Sequence, residues 1–64
     1  MSNQTLLDAR NKKGLSQLEV ARIAGIAQPT YANSERGRRS PSVGVAKRLG
    51  EALGIAWYLI FEKQ

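Results

Sequence analysis

Cysteine and histidine are both missing from this 64-residue chain. Without them no disulfide can staple the fold and the usual zinc ligand sets cannot be assembled, so burial and self-association must supply the cohesion. The lack of cysteine fits a reducing compartment. Acidic groups are also scarce: Asp8 is the single aspartate, and Glu19, Glu35, Glu51 and Glu62 are scattered. No nucleophile-base pair or metal cluster can be built from that set, so no catalysis, metal or cofactor is expected. The glycines never cluster into a phosphate-cradling loop. No apolar run approaches the roughly 20 residues of a bilayer span, and the amino end lacks a signal-peptide layout. The expectation is a cytoplasmic protein without a membrane partner.

Basic residues are plentiful by contrast, with ten Lys plus Arg against five Asp plus Glu and a net charge of +5. On so small a surface that balance favours a polyanionic partner. A chain of this length makes one domain over residues 1–64, burying only about 60% of the surface that its unfolded form exposes. Neither an internal repeat nor a low-complexity tract interrupts it.

The stretch Ser16 to Gly37 organises the rest. Ser16 and Glu19 have the spacing of a capping box, in which each side chain satisfies the other's backbone amide, so a helix is expected over about 17–24 with Val20, Ala21 and Ala24 facing inward. Gly25 supplies a turn. A second helix is expected over about 28–36, with Pro29 in its first turn, where no amide hydrogen is needed. Its inward set is Tyr31, Ser34 and the methyl of Thr30, and Ala27 offers no side-chain cap. Two helices joined by a short glycine turn make a unit whose second helix can enter a major groove.

Around this pair, residues 1–4 read as frayed. A first helix follows over about 5–13 with Leu6 and Ala9 inward, stopped by Gly14. Gly37-Arg38-Arg39-Ser40-Pro41 is a basic loop, and Ser42 caps a helix over about 43–53 whose inner face is Val43, Ala46, Leu49, Gly50 and Leu53. Gly50 indicates close helix packing; Gly44 has no evident reason. A fifth helix is expected over about 56–62, with Trp57, Ile60 and Phe61 inward. Leu18 and Ile23 fall outside the buried stripes.

The ordered set Gly14-Leu15-Ser16-Gln17, Ala21, Gly25-Ile26, Thr30, Glu35-Arg36-Gly37, Pro41-Ser42 and Ala52-Leu53-Gly54-Ile55 resembles the Cro/phage-repressor helix-turn-helix family, also called XRE-like. The resemblance spans nearly the whole chain. It implies an all-α, compact five-helix repressor-like domain, bacterial or phage-encoded, nucleoid-associated when bound. It departs from the family at Ser34, where a bulky apolar residue is usual, and at Ala27, where a hydroxyl residue is usual.

Carried over by position, the resemblance implies base contacts from Gln28, Pro29 and Asn33. A carboxamide can pair with N6 and N7 of adenine, and proline offers only apolar contact. Gln17, Thr30, Arg36, Arg38, Arg39, Ser40 and Ser42 are the implied contacts to the DNA backbone. Arg10 and Glu35 are implied to form a structural ion pair between the first and third helices. The run Ile55 to Phe61 is apolar on every side; helical spacing leaves Tyr58 and Leu59 outward, and a second copy covering Trp57, Tyr58 and Leu59 is the expected dimer interface.

The expected function is that of a sequence-specific regulator of transcription, a repressor acting as a homodimer on a two-fold symmetric operator in double-stranded DNA, with no small-molecule ligand evident. The alternative is a protein-interaction module of the same fold, of the antitoxin or polymerase-bridging type. A membrane-surface peptide fits worse, because the glycine and proline punctuation specifies a folded domain and not one amphipathic helix.

Overall fold

A computed structural model describes residues 2–62. Four α-helices follow one another, α1 (Gln4–Lys13), α2 (Gln17–Ala24), α3 (Gln28–Glu35) and α4 (Val43–Leu53), and a 3₁₀ helix, Trp57–Phe61, completes the order. No strand occurs among the described residues. Local chemistry sets most of the boundaries. Ser16 Oγ accepts from the Glu19 amide at 3.1 Å while Glu19 Oε1 accepts from the Ser16 amide at 2.8 Å. These bonds hold the Glu19 carboxyl below its ordinary pKa. Ser42 caps α4 from one side only, its Oγ accepting from the Val45 amide. Gly25 ends α2 in the left-handed region, which a β-carbon would strain.

The core lies where these elements converge. Leu6, Val20, Tyr31 and Leu49 are fully buried, joined by Ala21, Ala24, Ala46, Leu53 and Ile60. Each buried aliphatic side chain of this size contributes about 1.5–3 kcal/mol. Both α3 and α4 pack against α2, and the 3₁₀ helix lies mainly on α4. Gly50 is needed for that last contact: a β-carbon there would stand 2.8 Å from the Ile55 carbonyl oxygen and 3.1 Å from Trp57 Cα.

Several expectations are corrected. The fifth helix is 3₁₀ in form and shorter, and its Leu59 amide donates to the Ala56 carbonyl. Five residues without a side-chain cap form too short a run for a stable α-helix. The change of pitch moves a side chain: at three residues per turn Trp57 and Ile60 share one side while Tyr58 and Phe61 share the other. Ile60 is accordingly buried, Trp57 half-buried, and Phe61, expected inward, is 43% exposed. Residues 3 and 4 are not frayed, because Asn3 caps α1 by accepting from the Leu6 amide and Gln4 is its first residue; Met1 lies outside the described residues. Thr30 is exposed and Ala32 takes the inward place on α3. Val43, the first residue of α4, is 52% exposed, since the chain there has only just left the surface loop.

Candidate nucleic-acid interface

Pro29 lies in the first turn of α3, and Ala27 supplies no side-chain cap. Gln28, Pro29 and Thr30 are exposed there, and Asn33, one turn on, is half-buried. The far end of α3 is held by a buried polar cluster. Glu35, whose side chain is only 7% exposed, receives Arg10 Nε at 2.6 Å on Oε1. Tyr31 donates its hydroxyl to the same oxygen at 2.8 Å, and Gln17 Nε2 donates to Oε2 at 2.6 Å. Arg10 also donates to the Leu15 carbonyl at 2.9 Å. One carboxylate thus ties α1, the first residue of α2 and α3 together.

The electrostatics follow from that arrangement. Burial by itself would raise the Glu35 pKa, but the hydrogen bonds from Arg10, Gln17 and Tyr31 outweigh it and the carboxyl titrates below its ordinary value. Burial, then the bond to Glu35, push the Tyr31 hydroxyl up, so it remains a donor throughout the neutral range. Against this fixed end the exposed amino-terminal turn of α3, Gln28-Pro29-Thr30, carries no charged side chain.

Beyond α3, the loop folds back on it: the Arg38 and Arg39 amides both donate to the Asn33 carbonyl, at 3.0 and 3.4 Å. Gly37, with φ 77°, makes that reversal. The result is an open cleft in which Thr30, Asn33, Arg39, Ser40 and Ser42 come together over Val45. Its hydroxyls and the Arg39 guanidinium are suited to the oxygens of a phosphodiester. Arg36 and Arg38 are exposed beside this cleft without lining it. Gln28 and Pro29 do not line it but directly precede Thr30, which does.

Gln17 is placed differently from the other polar candidates. Its carboxamide is half-buried and committed through one hydrogen to Glu35, which leaves its second N–H and its backbone amide as donors. Trp57, Tyr58 and Leu59 lie remote in sequence from the α3 surface, on the 3₁₀ helix, with the ring of Trp57 edge-on to those of Tyr58 and Phe61 at 6.1 Å. Lys47 Nζ sits 5.4 Å from the Trp57 ring centroid.

Sequence reasoning missed three features of this region: Asn3, the link from Gln17 to Glu35, and Arg48, which donates to the Gly25 carbonyl at 3.2 Å and so fixes the turn between α2 and α3. The first two depend on approaches between residues distant in sequence. For the third, a basic residue one helix away from a glycine stop leaves no local signal.

Residues 6–59 match the helix-turn-helix family. Among curated proteins, the chain is 44% identical over 62 residues to an uncharacterised HTH-type transcriptional regulator, YqaF, of Bacillus subtilis, covering 97% of this chain and 82% of that protein. Among solved structures, it is similar to the restriction-modification controller protein C.AhdI from Aeromonas hydrophila, with a TM-score of 0.84, 34% identity and coverage of 92% and 89% of the two chains. The amino-terminal DNA-binding domain of SinR from Bacillus subtilis shares its fold with a TM-score of 0.87 at 24% identity, covering 97% and 91%.

Proposed function

This chain belongs to the helix-turn-helix family, and we propose that it is a transcriptional regulator, a repressor that occupies a two-fold symmetric operator in double-stranded DNA as a homodimer. The single observation that carries the reading is the presentation of α3: its amino-terminal turn offers Gln28 and Pro29 to solvent, while Glu35 anchors its other end to α1 and α2. A helix held so can enter a groove without losing the orientation of its readers. In this reading Gln28 and Asn33 contact base edges through their carboxamides and Pro29 touches an apolar group such as a thymine methyl. Thr30, Arg39, Ser40 and Ser42 receive one phosphate stretch in the cleft; Arg36 and Arg38 and the amino end of α2 at Gln17 receive others.

Dimerisation rests on the outer side of the 3₁₀ helix. Tyr58 is 59% and Phe61 43% exposed, side by side, with Trp57 and Leu59 at their edges. A second copy laid on Trp57, Tyr58 and Leu59 would cover that apolar surface, and two reading helices about 34 Å apart would span one turn of duplex. Phe61 joins this interface, which the α-helical register had placed inward.

The test is selection of bound sequences from random duplex DNA. A preferred palindromic sequence supports the reading, as does its relaxation at one base pair per half-site in Gln28→Ala. The salt slope should stay at roughly −0.9 per neutralised phosphate in that variant, and flatten in Arg38→Ala or Arg39→Ala. Absence of any sequence preference, together with a tight protein partner, would favour the interaction module instead.

A further inference from the structure

Asn3 makes more long-range bonds than any capping role needs. Its side-chain oxygen accepts from the Leu6 amide at 3.1 Å, which is the cap of α1. Its Nδ2 donates to the carbonyl of Ile60 at 2.9 Å, a bond between residues 57 positions apart. Its backbone amide donates to the Glu35 carbonyl at 2.7 Å. The same residue therefore touches the last residue of α3 and the buried residue of the 3₁₀ helix.

Packing on α4 and burial of Ile60 seat that 3₁₀ helix, but neither ties it directly to α3. It has five residues and no side-chain cap, and it follows an extended residue, Ala56. Its main packing is on α4, which does not itself carry the Glu35 cluster. Asn3 supplies the direct link between the two.

We propose that Asn3 is a positioning residue that sets the angle between the self-association surface on the 3₁₀ helix and the reading helix α3, and thereby the spacing of the two reading helices in a dimer bound to a full operator. This rests on the dimeric reading above. It adds that Asn3, which is not among the DNA and partner contacts proposed above, governs how well two half-sites are engaged at once. Rigid spacing converts the second half-site from an independent event into an intramolecular one, so loosening it weakens full-site binding without altering a half-site.

The discriminating substitution is Asn3→Ser. Serine caps a helix about as well as asparagine, so α1 is retained, and the backbone bond to Glu35 is untouched. Its short hydroxyl cannot replace the donation to Ile60. The probes are the duplex selected by the unaltered protein and a version with one half scrambled, read by fluorescence anisotropy beside sedimentation equilibrium and a thermal melt. The expected result is a loss of at least about fivefold on the full site, half-site binding within about twofold, and a melt lowered by no more than about 8 °C, as loss of one hydrogen bond allows. Asn3→Asp, which keeps the cap and also lacks the donor, should reproduce the loss.

Equal losses on both duplexes would overturn the proposal, because they indicate a merely structural role. So would no loss on either. If the unaltered protein itself is a monomer that binds the two duplexes alike, the dimeric reading fails and this proposal falls with it; that outcome is visible before any substitution is made.

Discussion

Replacing Arg10 by alanine removes the strongest single partner of a buried charge, and the consequence can be worked from the geometry. Arg10 is 18% exposed and Glu35 7%, so solvent screens the pair only slightly. The substitution deletes the 2.6 Å bond from Nε, a long one of 3.4 Å from Nη2, and the 2.9 Å bond to the Leu15 carbonyl. A hydrogen bond that involves a charged group contributes about 1.5–3 kcal/mol, and the Nε bond to Glu35 and the Nη1 bond to Leu15 are both of that kind, which together give about 3–6 kcal/mol. Breaking a buried pair by removing one partner costs about 3–5 kcal/mol, so the two routes agree. Gln17 and Tyr31 still donate to Glu35, which places the expectation at the lower end.

For a domain of this size the whole stability is about 3–10 kcal/mol, so the variant should be partly unfolded at physiological temperature. Its melting midpoint, followed by far-ultraviolet circular dichroism, should fall by about 12–24 °C. The pH dependence gives a second reading. Glu35 has a depressed pKa in the folded protein, so it contributes stability that is present above the unfolded carboxyl value and lost as pH falls through the folded one. Without Arg10 that depression shrinks, and the gap between the two proteins should narrow on acidification. A midpoint lowered by less than about 3 °C at neutral pH would refute the reasoning, because it would mean the carboxylate needs no cation.

Other outcomes follow from the same structure. Gly50→Ala should destabilise in a denaturant melt despite the higher helix propensity of alanine, by about 1–3 kcal/mol, since the added carbon meets backbone at Ile55 and Trp57 that cannot swing aside. Gly44→Ala should do the reverse, gaining up to about 1 kcal/mol, because its nearest neighbour is the Ser42 hydroxyl at 4.0 Å. Tyr58→Lys should shift sedimentation equilibrium toward monomer and leave the melt of dilute protein unchanged, since that ring is 59% exposed.

What could be read in advance was the chemistry carried within a few residues. The Ser16 and Glu19 capping box, the stop at Gly14, the turn at Gly25 and the extent of α4 are all local, and each has the form that its sequence implies. The buried stripe of α2 was equally legible, because hydrophobic spacing reports directly on a helix face. Pitch was not. Nothing in Ala56 to Phe61 distinguishes three residues per turn from 3.6, and that difference turns Phe61 from the core to the surface.

The supporting bonds of the candidate site were hidden for another reason. Asn3 reaches Ile60 and Gln17 reaches Glu35 only after the helices have packed, so neither partner is marked by spacing. Gln17 read by position alone is a donor to phosphate; its position in the fold gives it a second task, holding the end of α3. Tyr31 is similar, an apolar core residue by periodicity whose hydroxyl also completes the coordination of Glu35.

The central claim is that the amino-terminal turn of α3 meets the base edges. It is tested most directly by mapping side-chain and backbone amide resonances of the labelled protein on titration with its selected duplex. The account predicts large shifts and intermolecular contacts at the Gln28 and Asn33 carboxamides, with smaller backbone shifts along Arg38 to Ser42. Silent Gln28 and Asn33 carboxamides, with the perturbation concentrated on α1 or the outer face of α2, would contradict it.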